Sequence, residues 1–272
     1  MFINWAHCLI PKVFFILSII TNQVFVSLVK TERDFHFGNY RYLLYFSALF
    51  NIVASLADLL IPVCIHTYRS AIVVFIVNGF YSDKSITNDS CIAFRLAFIG
   101  GTYAILNSHF VFRYLSVRHN YFVSKYFYPY GLHASVCFVT IQIFLWVFVI
   151  DKSMIPNDEA REYIRESFEQ SFGNVENVNM KIWILSEASS ETAFRSWVGF
   201  MPFTLVLHAS AFRFDIPSWM NWVSSVALSM SPVLGSMAKI LCLPALRHRL
   251  FMTIRIKIAP RASNRIQTVS NI

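Results

Sequence analysis

Five stretches of this chain are long and apolar enough to cross a lipid bilayer, and they constrain the fold more than any other feature. A hydrocarbon core about 30 Å thick needs roughly 20 residues of helix. No water reaches backbone N–H and C=O groups there, so such runs must satisfy themselves as helices. They are about Leu9–Val29, Tyr40–Ile65, Cys91–Tyr114, Tyr128–Ile150 and Trp219–Leu243. A further stretch, Trp197–Phe212, is weaker, with sixteen residues that include Pro202 and His208. Ala71–Phe80 is too short to span and reads as an outer loop or a lengthening of the second helix. Charged residues make up 14% of the 272, against about 25% in soluble domains. The expected fold class is all-α, a polytopic transmembrane helical bundle in one domain over residues 1–252.

Orientation follows from the basic loops. Lys30, Arg33 and Arg41 flank the first connection, and Arg113, Arg118 and Lys125 the third. Both are expected on the cytoplasmic side, which puts the N-terminus outside. The first span then acts as an uncleaved signal anchor, because no basic residue precedes Lys12. Arg69–Ser90 becomes an outer loop carrying the sequon Asn88-Asp89-Ser90, a candidate N-glycosylation site. Asp151–Ser196 is outside as well, with nine acids against five bases. Within it Ala160, Ile164, Phe168 and Phe172 recur every four residues and predict a short amphipathic helix over the bundle mouth. Such a helix either packs on the outer bundle or moves as a ligand lid.

Span parity brings a conflict. From Arg247 to Ile272 there are six Lys and Arg and no acid. Beside a hydrophobic segment this composition marks the cytoplasmic side and an anionic leaflet rather than nucleic acid. The segment 253–272 is therefore expected to be a basic cytoplasmic tail. Four spans bring the chain outside at Asp151. If Trp197–Phe212 also crosses, the last span carries the tail outward, against the charge rule. An odd count, five or seven, removes the conflict.

Chemistry-bearing residues are sparse. His109-Phe-Val-Phe-Arg113-Tyr114 closes the third run, so Arg113 and Tyr114 sit where it leaves the lipid, as interfacial anchors or as a partner-facing pair. Asp58 is costly in lipid and should face the bundle interior. Asn22 is its expected hydrogen-bond partner across helices, as interhelical glue or a polar relay. Arg95 near the outer end can snorkel or meet an acidic ligand. Pro232 can kink the last helix and free a carbonyl. Cys137 and Cys242 fall in apolar runs and read as core, and a bridge from Cys91 would need Cys8 or Cys64. No metal spacing, Gly-rich phosphate loop, HExxH or Ser/His/Asp arrangement is present, so neither metal, cofactor nor enzymatic activity is expected.

In order along the chain, several of these residues carry a resemblance. Asn22, Asn39-Tyr-Arg41, Asp58, Pro62 with His66, and Phe112-Arg113-Tyr114-Leu115 are similar to nematode seven-transmembrane chemoreceptors of the Str type (serpentine receptor class r and relatives). So are Glu159–Phe168, Ser231-Pro232 and Leu246–Arg249. The resemblance implies a G-protein-coupled-receptor-like bundle of seven helices, of which five to six are present. It implies a chemosensory, olfactory receptor in the plasma membrane of sensory-neuron cilia. Its partners would be a small-molecule odorant and a heterotrimeric G protein met through Arg113 and Tyr114. The family pattern carries about sixty more residues near 197–212, which implies an internal deletion of most of the fifth and sixth spans. The alternatives are an inert or dominant-negative receptor fragment retained in the endoplasmic reticulum, and a transporter or channel subunit. The ligand-binding residues are not legible.

Overall fold

The computed structural model describes residues 2–31, 38–68, 71–76, 86–154, 157–172, 175, 178–184, 218–243, 246–248 and 250–252. The elements are α1 (Phe2–Thr31), α2 (Tyr40–Leu60), β1 (Val63–Tyr68), β2 (Ala71–Ile76), α3 (Ile86–Arg118), α4 (Asn120–Tyr126), a π turn (Phe127–Gly131), α5 (Leu132–Ser153), α6 (Asp158–Phe172), β3 (Met180–Ile184) and α7 (Ser218–Cys242). Among the described residues five helices are long and apolar enough to cross a membrane: α1, α2, α3, the stretch Phe127–Ser153 and α7. Trp197–Phe212 and the tail 253–272 lie outside the described residues.

The helices pack through small residues. A Cβ at Gly100 would overlap the Trp146 indole of α5, and one at Gly101 would overlap the Phe50 ring of α2. Lipid tails are as apolar as leucine, so close backbone approach and dispersion supply much of the association energy. The glycine pair lets α3 meet α5 on one side and α2 on the other.

One end of the bundle carries a three-stranded antiparallel sheet in the order β1-β2-β3. The expected second helix to Ile65 is corrected here, because α2 stops at Leu60. A residue before proline is pushed out of the α region, and Ile61 before Pro62 has φ −128° and ψ 74°. The Pro62 and His66 pair therefore belongs to the entry of a strand rather than to the close of a span. Ala71–Ile76 is neither loop nor helix extension. Its Ile-Val-Val-Phe-Ile run pairs with β1, Val63 against Ile76 through Tyr68 against Ala71. Alternate residues of a strand face opposite ways. Ile65, Ile72, Val74 and Ile76 pack on Ile92 and Leu96 of α3 and on Trp146 and Ile150 of α5. Val73, Phe75, Met180 and Ile182 face away from the bundle and are covered by Ala160, Ile164 and Phe168 of α6. The amphipathic helix thus packs on a sheet, and the sheet packs on the bundle.

His66 sits beneath that helix, its Nε2 3.1 Å from the Ser167 hydroxyl and its ring against Phe172. Burial pushes its pKa down to about 4. Lys181 of β3 reaches Asp151 at the end of α5, 3.0 Å away. Cys64 and Cys91 are free thiols, so no bridge joins them. Cys137 and Cys242 are exposed, a correction to their expected place in the core.

The direction of α7 answers the parity conflict. Its start lies at the sheet end, where the Ser225 hydroxyl accepts the backbone N–H of Ile65 at 3.1 Å. Its far end, at Ile240, packs with Phe25 and Val29 of α1 and Phe112 of α3 at the opposite end. The chain leaves α5 at the sheet end as well, with Ile150 and Met154 in the cluster beneath the sheet. Between α5 and α7 the chain therefore makes no net crossing. The end of α7 shares the side of the α1–α2 and α3–α4 connections, the basic side.

Candidate functional site: an inner-half cavity between three helices

Two polar constellations occupy the bundle interior at different depths. Near the sheet end, Arg95 of α3 donates from Nε and Nη2 to one carboxylate oxygen of Asp58, at 3.0 and 2.6 Å. Both side chains are only 4% exposed. Arg95 therefore neither snorkels nor waits for an acidic ligand, since Asp58 already balances its charge. Nearer the basic end, Ser236 of α7 donates to Asn22 Oδ1 at 2.6 Å, and Asn51 of α2 donates to Ser236 at 3.0 Å. Asn22 also donates to the Ser18 carbonyl at 2.8 Å. The expected pairing of Asn22 with Asp58 is thus corrected: Asn22 ties α1 to α2 and α7, and Asp58 ties α2 to α3.

Beside the asparagine network lies a cavity of about 290 Å³ between α2, α3 and α7. Arg113 and His109 line it from α3, Pro232 and Lys239 from α7, and Tyr40 and Asn51 from α2. Lys239 donates to the Ser47 hydroxyl at 2.8 Å. The His109 ring packs edge-on to Tyr40, centroids 5.5 Å apart, and neither ring nitrogen has a hydrogen-bond partner. The Arg113 guanidinium lies beside the Tyr40 hydroxyl. Tyr114 turns away: it is 59% exposed and accepts from Arg118 at 3.3 Å. Both residues are exposed, and of the two only Arg113 lines the cavity. Pro232 lies buried inside α7 and lines the same cavity. Its ring nitrogen carries no N–H, so the Leu228 carbonyl lacks its usual helical donor. The backbone of Asn88 falls in the first turn of α3.

Asn51 and Lys239 were absent from the candidates read from sequence. A lysine within an apolar span is itself a signal, and Lys239 carried it. Asn51 offered no comparable signal, because its role depends on which residues of α1 and α7 lie beside it. A second cavity, of about 470 Å³, lies between α3 and the α4–α5 junction, lined largely by apolar groups such as Phe112, Phe127 and Phe138.

A five-helix membrane bundle with a sheet-capped end and a basic cavity at the other is the frame of a polytopic membrane protein with receptor-like architecture. The family model for the serpentine type 7TM GPCR chemoreceptor Srj matches residues 1–206 and, in a second piece, 198–250. The chain belongs to the Srj family of serpentine chemoreceptors. The resemblance to the Str type is corrected accordingly. Serpentine receptor class J-38 of Caenorhabditis elegans is 32% identical over 200 residues, which are 72% of this chain and 59% of that relative. The chain thus spans under two thirds of the length of the curated relative it matches.

Proposed function

We propose that this chain is a chemosensory receptor of the G-protein-coupled type whose fifth and sixth spans are largely deleted. Its ancestral role is detection of a small environmental molecule in sensory-neuron cilia. In that role Arg113 faces a heterotrimeric G protein at the cavity mouth, with Tyr114 beside it at the membrane surface. The single observation that carries the reading is the absence of a net crossing between α5 and α7. A seven-span receptor makes two crossings there, and losing both preserves the direction of every other helix.

One further observation supports the deletion. The family match falls into two pieces that meet at residues 198–206. Coupling in such receptors shifts a population toward a state with an open inner crevice, bound better by the ligand. With one wall of that crevice gone, the product is expected to bind partners of the membrane rather than to signal. Retention in the endoplasmic reticulum, with trapping of full-length relatives, is the expected cellular consequence. Glycosylation at Asn88 would mark the outer face.

The test is the side of the membrane that holds the tail. A tag after Ile272 should be reached by antibody only in permeabilised cells, while a tag before Met1 is reached in intact ones. A tail accessible in intact cells would overturn the reading. A ligand-evoked second-messenger response abolished by Arg113→Ala would keep the receptor reading and remove the loss of coupling.

A further inference from the structure

We propose that the inner-half cavity is a binding site for a membrane anion with an apolar chain, a fatty-acid carboxylate or an acidic phospholipid headgroup. The argument begins with charge. Two full cations, Arg113 and Lys239, share the cavity with His109, and none of its described lining residues is acidic. Deeper in the bundle Arg95 is neutralised by Asp58 at 2.6 Å. Lys239 is half-buried and Arg113 exposed at the mouth; a partly buried cation with no described counter-charge is costly in a low-dielectric interior, and an anion in the cavity would lower that cost.

Hydrogen-bonding capacity points the same way. Lysine has three donors, and one of those of Lys239 is committed to Ser47. His109 is 6% exposed and lines the cavity, with both ring nitrogens unpartnered. A neutral imidazole donates from one nitrogen and accepts at the other; both nitrogens are covered, so a ligand oxygen meets the donor only once the ring turns toward the cavity. Lys239 would hold that oxygen, with Arg113 at the mouth.

The cavity is also graded along the bundle axis. From Arg113 to Thr102 the α3 lining climbs about 16 Å at 1.5 Å per residue. Beyond His109 it meets Leu106, Ile105, Phe50 and Ala54. The charged end lies on the basic side of the protein and the apolar end toward the bundle centre. An inner-leaflet lipid has the same polarity, with headgroup at the surface and chain toward the midplane. Access exists from the side, because Leu106, Phe110 and Ala238 line the cavity and are exposed. This inference takes only its orientation from the receptor reading. Lipid retention can be read whether or not the chain signals.

The experiment uses the full chain, purified into nanodiscs of phosphatidylcholine alone, with phosphatidylserine added, or with oleate added. Native mass spectrometry then reads the lipid that stays bound on release. Retention of one anion over phosphatidylcholine is expected, and the arm in which it occurs separates a resident phospholipid from a free fatty acid. Lys239→Met should lower that retention about tenfold, and Lys239→Arg should keep it. Ala238→Phe, which keeps every charge and fills the cavity, should abolish it. A third measurement needs no variant: decanoate should raise the melting temperature of the unmodified chain more than decanol does. Equal retention of phosphatidylcholine, unchanged retention in folded Lys239→Met and Ala238→Phe, or equal shifts with decanoate and decanol would each overturn the proposal.

Discussion

The two ends of this bundle treat buried charge in opposite ways. Among the described residues of the sheet end, Arg95 holds Asp58, Lys181 holds Asp151, and Arg161 donates from Nη1 to the Val175 carbonyl at 3.0 Å while its Nε has no partner. Burial still lowers the pKa of Arg161, with Asp89 and Asp158 pulling the other way. At the basic end Lys239 finds a neutral hydroxyl, and both nitrogens of the His109 ring lack a partner. An interior whose cations are ion-paired, as Arg95 and Lys181 are, is built to stay shut. An unsaturated one is stable only where an outside partner repays it, which makes the basic end the better place to look for a ligand.

The largest test of the comparison is Asp58→Ala. It leaves Arg95 buried and unpaired, which should cost about 3–5 kcal/mol. The expected result is loss of the monodisperse peak in size-exclusion chromatography. Asp58→Leu combined with Arg95→Met should recover it, because replacing a buried pair by apolar groups is often neutral. Failure of the double variant would mean that the pair specifies the fold rather than only balancing charge.

Next comes acid. His66 is neutral in the folded chain down to about pH 4, whereas an unfolded histidine takes its proton near 6.5. Its folded value is depressed, so its contribution is complete above 6.5 and is lost as pH falls from 6.5 to 4. The loss is at most about 3–4 kcal/mol at 1.36 kcal/mol per unit. Hydrogen exchange in α6 and β3 should accelerate over that window, and His66→Phe should flatten the dependence. An unchanged profile in the variant would assign the acid response to another group.

Gly100→Leu should force α3 off Trp146, with an overpacking cost of about 1–3 kcal/mol read as a lower melting temperature in detergent. Asn51→Ala should have the smallest effect, near 0.6 kcal/mol for an average interhelical hydrogen bond in a membrane. If Asn51→Ala instead rivals Asp58→Ala, the basic end is held together more tightly than its hydrogen bonds indicate.

Much of this was legible in the order of residues. Apolar runs gave five spans because a bilayer leaves the backbone no other solution. The four-residue spacing of Ala160, Ile164 and Phe168 gave α6, although the surface beneath it was read as bundle and proved to be a sheet. That sheet was hidden because 63–68 continues the hydropathy of α2 without a break, and only Pro62 hints at the change. Asp58 and Arg95 were each singled out, yet their pairing across 37 residues was not foreseen. Periodicity places a side chain on a face and says nothing of which neighbour meets that face.

By itself, then, the sequence determined the membrane class, the number of strong spans, the basic side, and the place near 197–212 where span counting and charge disagree. Those properties follow from transfer free energy and from counting charges, which need only local composition. The tertiary structure decided the direction of α7, the sheet between bundle and α6, the partner of Asp58, and the meeting of Arg113, His109 and Lys239 around one cavity. These depend on which helix faces which, a contest among packings of nearly equal hydrophobicity, settled by small residues such as Gly100 and by a few buried hydrogen bonds.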